Sequence, residues 1–264
     1  MELKNATAII TGAARGLGLE FARYILAEGG RVLLTDVDAT ELASVGAQLA
    51  AVYHDRVHVQ PQDVTDLTSF HTAFDTANRV FHPHEVNVLV NNAGMFRPML
   101  QFFKEPRDAS WTKLIDVNLT AVMRGTQVAL HRLSSKKGQP LVVNVSSLAG
   151  VTPSAFSPEY SVTKSAVNVF TALLGKFIKR TNVRVVALCP SYADTKMGKS
   201  SGEKDAKSIQ LLGGFMTTEY VAKAFVKCVN DSDNTGKALV VTPAKVHYVE
   251  TALNPPPFNS ASKL

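Results

Sequence analysis

Cysteine is nearly absent from this sequence, with Cys189 and Cys228 the only two. Disulfide-stapled chains are cysteine-dense, so both read as buried thiols of a reducing compartment, with a single disulfide as the alternative. Long apolar runs are missing too. None approaches the ~18 residues that a spanning helix needs, so no membrane span is expected. No repeat, low-complexity tract or linker offers a seam at which to divide the 264 residues. A single α/β domain over 1–264 is the expectation. Apolar strand pattern begins at 6–11, which leaves no room for a signal or transit peptide. His54/His58 and His82/His84 have metal-like spacing, but no cysteine or carboxylate cluster accompanies them, so no metal is expected.

Charged residues make up 19% and hydrophobic residues 45%, an ordinary globular balance. The net charge of +6 is concentrated at 132–137, 176–184 and 196–207. These clusters lack interleaved aromatics and there is no arginine-rich arm, which argues against nucleic acid and for a solvated basic surface.

What is present is alternation. Apolar strands read at 7–11, 32–35, 57–60, 86–90, 141–145, 183–188 and 238–242. Helical periodicity separates them, as at 17–27, 67–81, 110–133, 160–179 and 218–230. Several strands are continuous Val/Ile/Leu runs, as in a parallel sheet covered on both faces. Right-handed crossovers then give a doubly wound, seven-stranded parallel sheet of Rossmann type, with its ligand crevice at the carboxyl ends of the strands. The long connection 191–216 reads as a lid. The proline-rich stretch 254–264 reads as an extended tail.

The first strand runs into Thr11-Gly12-Ala13-Ala14-Arg15-Gly16-Leu17-Gly18. Gly12 permits a tight turn, Gly16 a close approach of backbone to phosphate, and Gly18 close packing of helix on strand. The helix opening at Leu17 offers its free N–H groups to a pyrophosphate. Asp36 ends the second strand, 18 positions past Gly18. A carboxylate there accepts from both ribose hydroxyls of an adenosine and repels a 2′-phosphate, which favours NAD over NADP. Its other reading is a helix N-cap, a role that Asp38 can fill instead. Arg15 is a counter-signal, because a cation in the glycine loop could reach a 2′-phosphate.

This glycine spacing, with Asp63-Val64, Asn91-Asn92-Ala93-Gly94, Asn118, Ser147 and Tyr160/Lys164 following in order, resembles the short-chain dehydrogenase/reductase family in its one-domain form. The resemblance covers nearly the whole chain. It implies that Asp63 and Val64 hold the adenine, and that the Asn91–Gly94 turn, with Asn91, Ala93 and Gly94, lines the cofactor and steadies the sheet. One departure stands out: the family's Pro-Gly after the sixth strand is Pro190-Ser191 here. Contacts to the nicotinamide carboxamide from that turn are thereby put in doubt, although Thr195 stands where the family's carboxamide-contacting threonine is expected.

Tyr160 and Lys164 are four apart in a helical segment and share a face. An ammonium beside a phenol, helped by the positive nicotinamide of an oxidised cofactor, should lower the phenol from its usual pKa of about 10. Tyr160 could then act as general base toward an alcohol or general acid toward a carbonyl. Lys164 would also hold the nicotinamide ribose, as in the family. Ser147 would hydrogen-bond the substrate oxygen, with Ser146 as the alternative hydroxyl. Asn118 would anchor water in a relay from Lys164.

The lid carries Lys196, Lys199, Lys204 and Lys207 among apolar residues such as Met197, Ile209, Leu212 and Met216. It reads either as a cover for an amphipathic acid or as a solvated lid with an apolar underside. The stretches 146–150 and 240–248 add a local resemblance to the NAD-dependent 15-hydroxyprostaglandin dehydrogenase branch. The resulting expectation is an NAD-dependent oxidation of a secondary alcohol, with a hydroxy fatty acid as the substrate class. A 3-hydroxyacyl-CoA dehydrogenase or 3-oxoacyl reductase is the rival enzyme, and a non-catalytic NAD(H) sensor or scaffold the rival outside catalysis. The terminal Ser262-Lys263-Leu264 reads as a peroxisomal address for an import receptor. The helices around Asn118 and Tyr160 are too apolar to face only water, so a homodimer or homotetramer is expected.

Overall fold

The computed structural model describes residues 1–97, 111–136, 138–202 and 206–251. Its centre is an eight-stranded sheet in the order β3-β2-β1-β4-β5-β6-β7-β8. Seven strands match the expected set: β1 (Thr7–Thr11), β2 (Arg31–Asp36), β3 (Val57–Pro61), β4 (Val88–Asn91), β5 (Leu141–Val145), β6 (Arg184–Pro190) and β7 (Lys237–Val241). All seven pair in parallel. The eighth, β8 (Val246–Glu250), runs antiparallel to β7 and adds to the seven-stranded expectation. Such a neighbour needs only a tight turn and no crossover helix. Here Thr242 N–H donates to the Lys245 carbonyl at 3.0 Å and Lys245 N–H to Thr242 Oγ1 at 3.2 Å.

Ten α-helices surround the sheet among the described residues: α1 (Gly16–Ala27), α2 (Ala39–Tyr53), α3 (Ser69–Val80), α4 (Thr112–Ile115), α5 (Ala121–Leu133), α6 (Pro158–Gly175), α7 (Ile178–Thr181), α8 (Lys196–Gly202), α9 (Ala206–Leu211) and α10 (Thr218–Asn230). Side chains alternate across a strand, so each strand feeds two layers. Ile10, Leu34, Val143 and Leu188 pack with Phe21 of α1, Leu42 of α2 and Phe225 of α10. Ile9, Leu33, Val142 and Val185 pack with Phe70 and Phe74 of α3 and Val128 of α5. Burial on both faces is why the strands read as unbroken apolar runs.

Three details depart from simple periodicity. The helix expected over 110–133 is interrupted by a π turn at Asp116–Thr120. The lid is not structureless, since it carries α8 and α9. Its base is closed where Asp194 N–H donates to the Met216 carbonyl at 2.8 Å and Met216 N–H to Tyr192 at 2.9 Å. Arg184 does not belong to a solvated basic surface. It is fully buried, donating to the carbonyls of Cys228, Val229 and Asp231 and to Asn234 Oδ1 at 2.8 Å. Four backbone and side-chain acceptors gathered at the C-terminal end of α10 and just after it are what make that burial tolerable.

Between β4, β5, α5 and α6 lies a buried polar ladder. Asn91 Nδ2 donates to Asn144 Oδ1 at 2.9 Å and to Thr126 Oγ1 at 3.1 Å. Asn144 Nδ2 continues it to Thr171 Oγ1 at 3.0 Å. Cys189 and Cys228 are buried free thiols.

Candidate active site

At the carboxyl ends of the strands lies a cleft of about 1680 Å³, bordered on one side by α8 and α9. β1 delivers the glycine loop to it. Gly12 sits at φ +65°, and a Cβ there would stand 2.8 Å from Ala93 Cα. Gly18 has an ordinary φ, but a Cβ would lie 2.5 Å from Asn92 Nδ2 and 2.6 Å from the Gly12 carbonyl. Glycine is therefore required at both places by close approach. Arg15, Gly16 and Leu17 line the cleft where α1 begins, and no side chain caps that helix. Its first-turn N–H groups are thus left for an anion.

Asp36 lines the cleft at the end of β2. Its two carboxylate oxygens accept from the N–H groups of Ala14 and Asp38, each at 3.0 Å. That fixes the carboxylate while leaving lone pairs for ribose hydroxyls. Asp38 caps α2 by accepting from Glu41 N–H and also pairs with Arg15. The Arg15 counter-signal is thereby weakened, since its charge already has a carboxylate. An uncapped helix start, a glycine-lined floor and an oriented carboxylate together fit a dinucleotide.

Asp63, Val64, Ala93, Gly94, Pro190 and Thr195 also line the cleft. The Asp63 carboxylate accepts from Thr65 N–H and Oγ1–H, which holds its pKa below the usual range. Thr195 Oγ1 accepts from Gly198 N–H at 3.0 Å, and its Cγ2 faces Gly16. Asn91 is a correction. Strand alternation turns it into the buried ladder, and its neighbour Asn92 lines the cleft instead. Asn92 Nδ2 donates to the carbonyls of Thr11 at 2.8 Å and Gly12 at 2.9 Å, tying β4 to the glycine loop.

The catalytic candidates converge on one wall. Ser147 follows β5, while Tyr160 and Lys164 lie on α6, and all three line the cleft. Ser146 also lines the cleft, but its buried hydroxyl donates to the Lys164 carbonyl at 3.0 Å. The Asn118 side chain is occupied within the protein. It is fully buried in the π turn, and both ends of its amide engage the Met95 backbone at 2.8 Å.

The electrostatics reverse one expectation. Burial pushes the Tyr160 phenol up from 10.0 to about 12, although a hydrogen bond from Ser147 acts the other way. Burial likewise lowers the Lys164 ammonium from 10.5 to about 8. Lys164 Nζ donates to the Val145 carbonyl at 2.8 Å and stands 5.7 Å from the Tyr160 ring centroid. Desolvation is the largest influence on both groups and outweighs their attraction. Phe96 packs edge-on against Tyr160 at 5.3 Å between centroids, a neighbour with no sequence signal.

Among the described lid lysines, Lys196 alone lines the cleft. Lys199 pairs with Asp194 at 2.7 Å, and Lys207 is exposed. Lys196 lines the cleft but lies near Asp38, on the dinucleotide side. Lys204 and the tail 254–264 lie outside the described residues.

A family model described as short chain dehydrogenase matches residues 6–206. The 15-hydroxyprostaglandin dehydrogenase (NAD(+)) of Bos taurus is 27% identical over 272 residues, covering 97% of this chain and 98% of that protein. Its Homo sapiens counterpart is 27% identical over 276 residues, covering 97% and 98%. A 2,5-dichloro-2,5-cyclohexadiene-1,4-diol dehydrogenase (LinX) of Sphingobium indicum is 33% identical over 194 residues, covering 73% of this chain and 75% of that one. Among solved structures, a short-chain dehydrogenase/reductase (glucose/ribitol dehydrogenase) from Brucella melitensis superposes with a TM-score of 0.79. It is 23% identical and covers 91% of this chain and 97% of its own, a likeness of fold.

Proposed function

The chain belongs to the short chain dehydrogenase family, and from that premise we propose that it is an NAD-dependent dehydrogenase converting a secondary alcohol of a hydroxy fatty acid to a ketone. As an oxidoreductase acting on hydroxyl groups it requires a nicotinamide site and a proton acceptor. The observation that carries the reading is their meeting in one cleft: the Asp36-anchored glycine loop and the Ser147, Tyr160 and Lys164 wall. Preference for NAD rests on the fixed Asp36 carboxylate, which repels a 2′-phosphate, and on the pairing of Arg15 with Asp38.

An oxidised nicotinamide held there by the glycine loop, Thr195 and Lys164 would supply the hydride acceptor and a positive charge beside the wall. Tyr160 takes the hydroxyl proton as general base. A phenol at about 12 is a poor base at neutral pH, so this role depends on added positive charge to favour the phenolate. Ser147 hydrogen-bonds the substrate oxygen, and Lys164 holds ribose hydroxyls and passes the proton outward. Asn118 acts at one remove by fixing Met95, beside the turn at Gly94.

The fatty-acid class is supported by whole-length similarity to enzymes named 15-hydroxyprostaglandin dehydrogenase and by apolar cleft residues such as Leu148, Val151 and Leu212. Exposed Met123 on α5, with Val162, Val169 and Leu173 on α6, supports self-association as a dimer or tetramer. The terminal Ser262-Lys263-Leu264 supports import into peroxisomes, and a reporter carrying this tail that stayed cytosolic would overturn that assignment.

NADH formation is the test, with hydroxy fatty acids and 3-hydroxyacyl-CoA as rival substrates for wild type and Tyr160→Phe. Free-acid turnover that falls by about 10²-fold or more in the variant, with NADH binding intact, is expected. Turnover of the CoA thioester alone would instead make the protein a 3-hydroxyacyl-CoA dehydrogenase. Tight NADH binding with no turnover of either would revive the sensor.

A further inference from the structure

The chemistry above uses the dinucleotide end of the cleft and its centre; the opposite end is built by the β7–β8 hairpin. Val240 faces His247 across the antiparallel pair. Residues two apart on a strand share a face, so His247 and Val249 look the same way. All three line the cleft, together with Thr242 and Lys245. Leu148 and Val249 pack against the buried apolar cluster that contains Val240. Beside Ser147, then, the wall is aliphatic, and it ends on an imidazole and an ammonium.

One ring nitrogen of the imidazole and the ammonium are not taken up by the protein. His247 Nδ1 is buried and makes no hydrogen bond, although buried polar atoms ordinarily find one. The Lys245 side chain is exposed and makes no ion pair among the described residues, whereas Lys199 of the lid is taken by Asp194. The backbone beneath Lys245 is held by three hydrogen bonds with Thr242. A cation on a held backbone and an unpartnered ring nitrogen at the end of an aliphatic wall match one ligand chemistry: a carboxylate at the end of an acyl chain.

We propose that Lys245 and His247 form the carboxylate subsite of the substrate channel, holding the acid end of a hydroxy fatty acid whose chain lies along Leu148, Val240 and Val249. This rests on the substrate class proposed above and deepens it. With the acid end fixed at the hairpin and reaction confined to Tyr160, only a hydroxyl at a suitable distance along the chain is presented for oxidation. The hairpin, and not the lid lysines, would then set specificity.

The test is steady-state kinetics with NAD⁺ on a hydroxy fatty acid and its methyl ester, for wild type, Lys245→Ala and His247→Ala. Wild type should favour the acid over the ester by about fivefold in KM, the upper end for one partly exposed charge pair. Each variant should lose most of that ratio through the KM of the acid. Lys199→Ala serves as the control and should retain it. A ratio near one in wild type, or an unchanged ratio in both variants, would overturn the subsite while leaving fatty-acid oxidation standing. Turnover of neither compound would overturn the substrate class and the subsite with it. General damage to the fold moves acid and ester together, so it cannot imitate the expected result.

Discussion

Replacing Lys164 with methionine should make the cofactor-free protein more stable while ending its chemistry. Burial lowers the ammonium from 10.5 to about 8. Each pH unit of such a difference corresponds to about 1.4 kcal/mol, so keeping the charge in the folded state below that range costs about 3 kcal/mol. Methionine fills the stem's space without a charge. It gives up the 2.8 Å hydrogen bond to the Val145 carbonyl, worth about 1–2 kcal/mol. A net gain of about 1–2 kcal/mol at neutral pH is expected. The pH dependence gives a sharper signature. An unfolded lysine keeps its proton to about 10.5 and the folded one only to about 8, so between those values the unfolded state binds more protons. Wild-type stability should therefore rise with pH across that window, and the variant should lack the rise. Tyr160, raised from 10.0 to about 12, acts in the opposite sense: the stability it contributes is complete below 10.0 and is lost as pH rises through about 12. Urea unfolding followed by circular dichroism at closely spaced pH values would resolve both limbs. Parallel curves for the two proteins between pH 8 and 10 would refute the reasoning.

Asp36→Ala removes the acceptor of Ala14 N–H and the charge that repels a 2′-phosphate. It should weaken NAD⁺ binding about tenfold and narrow the NAD⁺/NADP⁺ preference by at least that much, read from the two KM values. Arg184→Ala takes the guanidinium away from the carbonyls of Cys228, Val229 and Asp231 and should cost about 3–5 kcal/mol in urea unfolding. A loss below about 1 kcal/mol would mean that water replaces the guanidinium. Gly12→Ala, with φ +65° and a Cβ 2.8 Å from Ala93 Cα, should lower stability by about 2 kcal/mol or more and weaken NADH binding in direct titration.

Where a single chemical requirement dominates, the sequence is sufficient. Continuous valine and leucine runs announce the seven parallel strands, and glycines followed by Asp36 announce the dinucleotide end. Adjacent identical residues are harder. Asn91 and Asn92 are alike in composition, and only the alternation of the strand decides which enters the core and which meets the cleft. β8 is half-buried and follows a Pro243-Ala244 turn without the usual glycine or asparagine, so it resembles loop until β7 supplies its partner. The π turn around Asn118 preserves the apolar pattern of the surrounding helix and leaves no mark in it. The direction of the Tyr160 shift depends on burial, a property of the assembled fold.

The ladder from Asn91 to Thr171 has a consequence for how accurately the site is assembled. A sheet of aliphatic strands is nearly self-similar under a slip of two residues, because every valine finds another aliphatic neighbour. Asn91 opposite Asn144 breaks that degeneracy. A slipped β4–β5 pair would leave both amides among hydrocarbon, each at a cost of about 1–3 kcal/mol. The pair acts as an index mark between two otherwise interchangeable rulers. Gly94 lies three residues past one asparagine and Ser147 three past the other. The mark that aligns the interior therefore sets how far the cofactor turn and the substrate hydroxyl each project into the cleft, before either meets a ligand.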